Sequence, residues 1–353
     1  MDFTLDESQQ AIAGLARDVL ARDGDQWQAL ARAGLLALAL PEELDGDGLG
    51  VVEVAVVLTE VGRAAAPLPA WATLALGVLP LTRLGDPAQR AALLPGVASG
   101  ESLLTAALHE PSDPLTTRPA TTATPAHGDW LLSGVKTAVP FAATAHRVLV
   151  PASLPGGPGI FLVDPHGEGV TLTATPTATG SPEHTVRLDA APVPDTALLG
   201  SREPGESLPV LHSCALAGAV ALGDGALAGA LELTTGHLGT REQFGRPLAT
   251  FQAVAQQVAD VYIASRTVHL AALSACWRLA AGLDPDADLA VAAYWLTEEA
   301  PRALAACHHL HGGIGVDVTY PLHRHSSLVK DVGRALGGVS ARLDALGELV
   351  GGA

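Results

Sequence analysis

Apolar positions recur at helical spacing near both ends of the chain and give way to short β-type runs in its middle. Within residues 1–104, the stretches QWQALARAGLLALAL and VVEVAVVLTEVGRAA predict helices, the second with Val54, Leu58 and Val61 on one stripe. PEELDGDGLG, between them, is a Pro/Gly/Asp-rich turn. Across residues 105–200 the runs DWLLSGV, HRVLVPA, GIFLVD, GVTLTA and HTVRLDA are bounded by Pro and Gly, which predicts an antiparallel sheet or small barrel. DPLTTRPATTATPAHG reads as surface loop. After Gly200 the helices return: Phe251, Val254, Val258, Val261, Ser265, Val268 and Ala272 form one seam. LDPDAD, residues 283–288, breaks that helix from the next. The expectation is an α+β chain of three domains: helical (1–104), β (105–200) and helical (201–353).

Composition sharpens this picture at four points. Hydrophobic residues at 48% and charged residues at 16% exclude disorder, and only 4% aromatics leaves a core of Ala, Leu and Val. A formal charge of −17 argues against nucleic acid or an anionic membrane as partner, because both would repel it. Leu211–Leu233 is the most apolar run, but Asp224 and several glycines interrupt it, so it reads as a buried helix and not a span. Cys214, Cys276 and Cys307 are far apart, and the N-terminus is acidic. Together these point to reduced thiols in a cytoplasmic protein.

Three segments in order resemble the acyl-CoA dehydrogenase family: WQALARAGLLALALPEELDGDGLG from Trp27, TREQFGRPLATFQAVAQQVAD from Thr240, and HHLHGGIGVDVTYPLHRH from His308. The resemblance covers essentially the whole chain. It implies a C-terminal four-helix bundle, an acyl-CoA substrate, FAD as cofactor, and at least a dimer, either a homo-oligomer or a hetero-oligomer with another family subunit. Arg241 offers fixed donors suited to a pyrophosphate, Gln243 a polar amide, and Phe244 an apolar surface. Gly312 and Gly313 let backbone approach phosphate or ribose. By the resemblance, Arg241, Gln243 and Phe244 reach across an interface, and Gly312 and Gly313 complete the neighbour's site. Leu108 and His109 fall where the family meets the flavin ring, just before Glu110-Pro111 and a shortened Ser112-Asp113 loop. Ala138 and Pro140 replace the family's Trp and Thr, and His309 replaces a glutamine.

Removing a weakly acidic α proton needs a carboxylate in hydrogen-bond reach. At the family's usual position this sequence has Gly337, followed by Gly338-Val339. At the alternate position, used by some relatives on the first C-terminal helix, it has His212, a titratable group more simply read as a satisfied helix-start histidine. Glu203 and Glu206 precede it and suit the following helix N-terminus. The pattern resembles family members that act as unlike pairs, one partner lacking the base. Two other readings stand beside it. One is metal binding by the cluster His308, His309, His311, His323 and His325, which lacks any H-E-x-x-H or cysteine pair. The other is a non-redox scaffold or ligand-binding subunit that keeps the fold without flavin.

Overall fold

Local signals start the helices where the pattern places them. In the computed structural model, which describes residues 3–200 and 205–351, α1 (Glu7–Leu20) opens on a capping box between Asp6 and Gln9. α2 (Gln26–Arg32) is capped by the Asp25 side chain. The sequence pattern runs helically to Leu40, but α2 stops at Arg32 because Gly34 takes φ +78, and Ala33–Leu40 continue as turns. Their leucines are nevertheless buried. α3 (Val51–Arg63) buries Val54, Leu58 and Val61 as expected. A buried π-helical stretch, Trp71–Val78, runs directly into α4 (Leu79–Leu84), and α5 (Pro87–Ala98) follows with a second capping box.

The chain divides into two compact units. One comprises residues 22–54 and 68–218, the other residues 1–21, 55–67 and 219–353. The first holds the sheet. Its strands are β1 (Leu104–Ala106), β2 (Thr122–Ala126), β3 (Asp129–Pro140), β4 (Arg147–Leu154), β5 (Gly157–Val163), β6 (Val170–Ala174), β7 (Glu183–Val193) and β8 (Leu198–Leu199). They lie in the order β6-β7-β3-β2-β4-β5-β8, with β1 beside β4. All five expected runs become strands. The pairings are antiparallel except β1 with β4 and the single β2–β4 contact at Thr122 and Ser153, which are parallel. The expected surface loop contains β2, which threonine alternation signals weakly. A turn at His127-Gly128, both at positive φ, folds β2 back onto β3.

The second unit is helical. α6 (Ser207–Thr240) is long and apolar enough to cross a membrane, but 83% of its most apolar window is buried inside the protein. It crosses α3 with the backbones touching: a Cβ on Gly62 would run into the Leu222 carbonyl, and one on Gly225 into that of Thr59. Two short strands, β9 (Glu242–Gln243) and β10 (Arg246–Pro247), follow it. α7 (Gln252–Ala280) buries Val261, Ser265, Val268 and Ala272. α8 (Asp286–His311) lies antiparallel beyond the 283–288 turn, and α9 (Leu322–Ala335) and α10 (Gly338–Gly351) complete the unit. The C-terminal part is helical as expected, and α10 packs on α8. Inside it, buried Asp224 of α6 accepts from His269 Nδ1 of α7 at 2.8 Å.

Candidate functional site

β9 and β10 pair as a hairpin, Gln243 opposite Arg246 and Glu242 opposite Pro247. Phe244 (φ 53) and Gly245 (φ 78) form its two-residue turn, the left-handed pair that a tight hairpin turn of this kind requires. The hairpin is tied to the end of α6, since Arg241 N–H donates to the His237 carbonyl. Arg241, Gln243 and Phe244 are all exposed, Phe244 to 93%. Among the described residues the Arg241 guanidinium makes no ion pair, so its donors remain available. Arg246 is used differently: it lies 4.1 Å over the Phe251 ring.

At the end of α8, Gly312 adopts φ 63, ψ −140, accessible only to glycine, and starts a 3-10 turn, Gly312–Val316. A Cβ on Gly312 or Gly313 would meet nothing within 4 Å, so open space lies beside this backbone. His309 is exposed on the preceding turn. The two segments are brought together within one chain. His237, near the end of α6, stacks on His311, near the end of α8, with ring centroids 4.7 Å apart. The Tyr320 hydroxyl donates to His311 Nε2 at 3.0 Å, and His311 Nδ1–H donates to the Cys307 carbonyl. Burial holds both imidazoles below the ordinary histidine range, with Arg241 adding to the effect on His237.

The remaining histidines are separately engaged. His308 Nδ1–H donates to the Gly315 carbonyl (2.8 Å) and its Nε2 accepts from Ser326 (2.6 Å). His323 is bound to the Tyr320 carbonyl and His325 to that of Arg63. Among the described residues no three His, Cys, Asp or Glu side chains are placed to hold a metal.

Leu108 and His109 lie after β1, both buried. Thr137 N–H of β3 donates to the His109 carbonyl at 3.0 Å. Next to them sits a pair that the pattern alone did not reveal. Lys136 has a fully buried side chain, and its Nζ donates to Glu110 Oε1 at 2.7 Å. The same carboxylate accepts from the Thr121 amide and hydroxyl and from the Ala120 amide. Burial alone would raise the Glu110 pKa, but the Lys136 and Thr121 hydrogen bonds outweigh it and hold the carboxyl below its usual range. Burial lowers that of Lys136, with Glu110 opposing. Glu110 is therefore a fixed anion, not a proton acceptor. A signal existed: the chain has only two lysines, and one of them stands in an apolar strand. Beyond it β3 bulges between Lys136 and Val139, with Ala138 at φ 54.

Gly337 follows α9 at φ +82 and directly precedes α10. It carries no titratable group, and its conformation disfavours every side chain. His212 is half-buried in the second turn of α6, and Glu206 is exposed just before that helix. Glu203 lies outside the described residues. A cavity of ≈ 390 Å³ between α5 and the sheet, lined by Gln89, Leu93, Arg147, Asp164 and Pro192 among others, contains none of the expected site residues.

Comparison with known proteins bears on these positions. Residues 3–101 match the family described as acyl-CoA dehydrogenase, N-terminal domain, and residues 215–341 match acyl-CoA dehydrogenase, C-terminal domain. The chain is 47% identical to acyl-CoA dehydrogenase FadE28 of Mycobacterium tuberculosis over 98% of both chains. Among solved structures it superposes with TM-score 0.91 on a variant of the Tcur3481-Tcur3483 steroid ACAD (38% identity, 99% of both chains). It superposes equally well on the ChsE4-ChsE5 complex from Mycobacterium tuberculosis (TM-score 0.91, 32% identity, 99% of both chains).

Proposed function

The chain belongs to the acyl-CoA dehydrogenase family, and from that premise we propose that it is the FAD-holding, carboxylate-free subunit of a dehydrogenase built from unlike chains. The observation that carries this reading is Gly337. At the place where the resemblance puts the catalytic carboxylate stands a glycine at φ +82, which takes no proton and whose backbone conformation disfavours a side chain that would. Two of its similar structures bear paired names, Tcur3481-Tcur3483 and ChsE4-ChsE5, and an unlike partner that brings the carboxylate completes the chemistry.

The residues present suit a flavin dinucleotide. Arg241 is a free guanidinium on an exposed hairpin and would hold the pyrophosphate. Gln243 and Phe244 would add an amide and an apolar face, and the open backbone at Gly312 and Gly313 would admit phosphate or ribose. Because His237 and His311 join the two segments, both would serve the same cofactor, across an interface with the neighbouring subunit. When bound, FAD supplies the two-electron oxidation of an acyl-CoA thioester to its α,β-unsaturated form. Residues 105–200 act in this reading as the flavin-side β domain, with Leu108 and His109 held by the Glu110–Lys136 pair. Residues 1–104 and 201–353 flank it as helical domains. The word steroid in one relative's name makes a steroid acyl thioester the first substrate class to try. Buried, separated thiols suit a reducing compartment, and we place the protein in the cytoplasm.

The test is co-expression with and without its chromosomal neighbours, followed by FAD content, subunit stoichiometry and acyl-CoA turnover. The expected result is turnover only in the mixed assembly. A flavin-replete homomer that dehydrogenates acyl-CoA would sink the proposal.

A further inference from the structure

A turn that buries little apolar surface is kept in place by the polar bonds that reach it. The 3-10 turn Gly312–Val316 is of this kind: only Gly315 is buried, while Ile314 is 42% and Val316 76% exposed. Gly315 lies tight on the end of α8, where a Cβ would come within 2.9 Å of the His311 Cβ. His308 Nδ1–H tethers the Gly315 carbonyl. The Tyr320 hydroxyl, donating to His311 Nε2 at 3.0 Å, closes a loop over the whole turn from residue 311 to residue 320. His311 is itself fixed by its Nδ1–H on the Cys307 carbonyl, at 2.7 Å. Its ring lies on that of His237 at 4.7 Å with 17° between the planes, which ties the loop to the end of α6.

This bonding requires a neutral His311, with one ring nitrogen donating and the other accepting. A proton on Nε2 turns that acceptor into a donor, and the Tyr320 hydroxyl must swing its hydrogen away from the ring. The added charge finds no counter-charge. Among the described residues, the groups acting on His311 are the carbonyls of Cys307 and Leu233 and two further imidazoles, His237 of α6 and His308 of its own helix. Arg241 adds a cation beside His237. Acidic groups on these and the packed elements are engaged elsewhere or exposed. Glu232 of α6 pairs with Arg63, Glu298 and Glu299 of α8 with Arg302, and Asp331 of α9 with Arg334. Asp317 accepts from Thr319, and Asp260 of α7 and Asp344 of α10 are exposed. On α9, His323 is bound to the Tyr320 carbonyl, His325 to that of Arg63, and Arg324 is exposed. Burial and the neighbouring cations therefore both favour uncharged rings.

We propose that the His237–His311 stack and the Tyr320 hydroxyl form a proton-operated latch, which holds the Gly312–Val316 turn against the end of α6 while both rings are neutral and releases it in acid. The opened turn gives both rings to water, where they take protons in the ordinary histidine range near pH ~6.5. The closed stack takes them only at lower pH. Acid therefore favours the opened form, by up to about tenfold for each pH unit over which a ring is charged when open and neutral when closed. The latch is a property of this chain's own side chains. What the turn holds rests on the flavin reading, by which Gly312 and Gly313 border the cofactor and acid frees their segment.

The experiment is hydrogen–deuterium exchange of the full chain at about pH 8 and about pH 5, on either side of the ordinary histidine range. Protection in residues 312–320 is corrected for the intrinsic effect of pH on exchange and taken relative to the buried stretch of α6, with FAD content recorded separately. The expected result is a loss of about tenfold in relative protection at the lower pH. His311→Gln keeps an acceptor for Tyr320 and takes no proton, so it should hold the turn at both pH values. Tyr320→Phe removes the donor and should leave the turn open already at the higher pH. His325→Gln, outside the latch, should open in acid as the parent does. If His311→Gln does not fold, His237→Phe, which keeps a ring in the stack but removes one titrating group, should shrink the acid loss. Equal relative protection of the parent at both pH values overturns the proposal. So does an acid loss in His311→Gln that matches the parent's, or one that disappears in His325→Gln. A chain without flavin leaves these outcomes as they stand and counts against the flavin reading alone.

Discussion

Replacing Lys136 by methionine removes the cation of the Glu110 pair while keeping most of the stem volume, so packing loss stays below about 1.5 kcal/mol. The larger cost falls on Glu110, which is buried and keeps its bonds from Thr121 and Ala120 but loses its counter-ion Lys136. Breaking a buried pair from one side costs about 3–5 kcal/mol. Glu110→Gln strands the lysine in the same way and should cost about as much. The double variant buries no charge, so it should recover about 2 kcal/mol or more of the summed cost, as contacting residues do in a double-mutant cycle. Urea unfolding followed through Trp130 fluorescence suits the measurement, because Trp130 lies on the same strand and is hydrogen-bonded to Asp195. The pH dependence supplies a second check. The Glu110 carboxyl is lowered in the folded state, so its contribution is present above about pH 4.3 and is lost as pH falls through its folded value. Lys136→Met should shrink that acid-side loss. A single-variant cost under about 1 kcal/mol, or additive costs in the cycle, would refute the view that this pair pins the His109 segment to β3.

Three other outcomes follow from the geometry. His237, His311 and His325 are all lowered below the ordinary histidine range, mainly by burial. The unfolded chain therefore binds protons first, and melting temperature should fall as pH drops below about 6.5; His325→Gln should flatten that slope, and an unchanged slope would count against it. Gly337→Ala, at φ +82, should lose about 1 kcal/mol in denaturant unfolding, and a neutral result would mean that the backbone there relaxes freely. Phe244→Ala should leave stability within about 0.5 kcal/mol, since the ring is exposed, yet lower FAD per chain in the purified protein; unaltered flavin content would remove Phe244 from the site.

Periodicity sufficed for the large elements because their burial is one-sided or complete. All five predicted strands and the α7 seam from Val261 to Ala272 are where the spacing places them, whereas Phe251 precedes the helix and Val254 and Val258 are only half-buried. It failed where one glycine or one turn decides. Ala33–Leu40 keeps a helical apolar pattern, yet Gly34 ends the helix, and the same leucines are buried from turns. β2 looked like loop because Thr and Pro dominate it, and only pairing with β3 through His127-Gly128 makes it a strand. Of the candidate site, the local geometry of the R-E-Q-F-G turn and of the glycine pair was legible. Partnerships across the fold were not: Glu110 and Lys136 are 26 residues apart, and His237 and His311 meet only because two long helices end side by side.

The backbone at Gly337 bears on why a carboxylate is absent there. A substitution of Glu by Gly on an ordinary helix would leave a position that any later mutation could refill. Here the residue between α9 and α10 is left-handed, and so is Gly338 at φ +76. Restoring a side chain at 337 would cost about 1–2 kcal/mol in backbone strain before any catalytic gain.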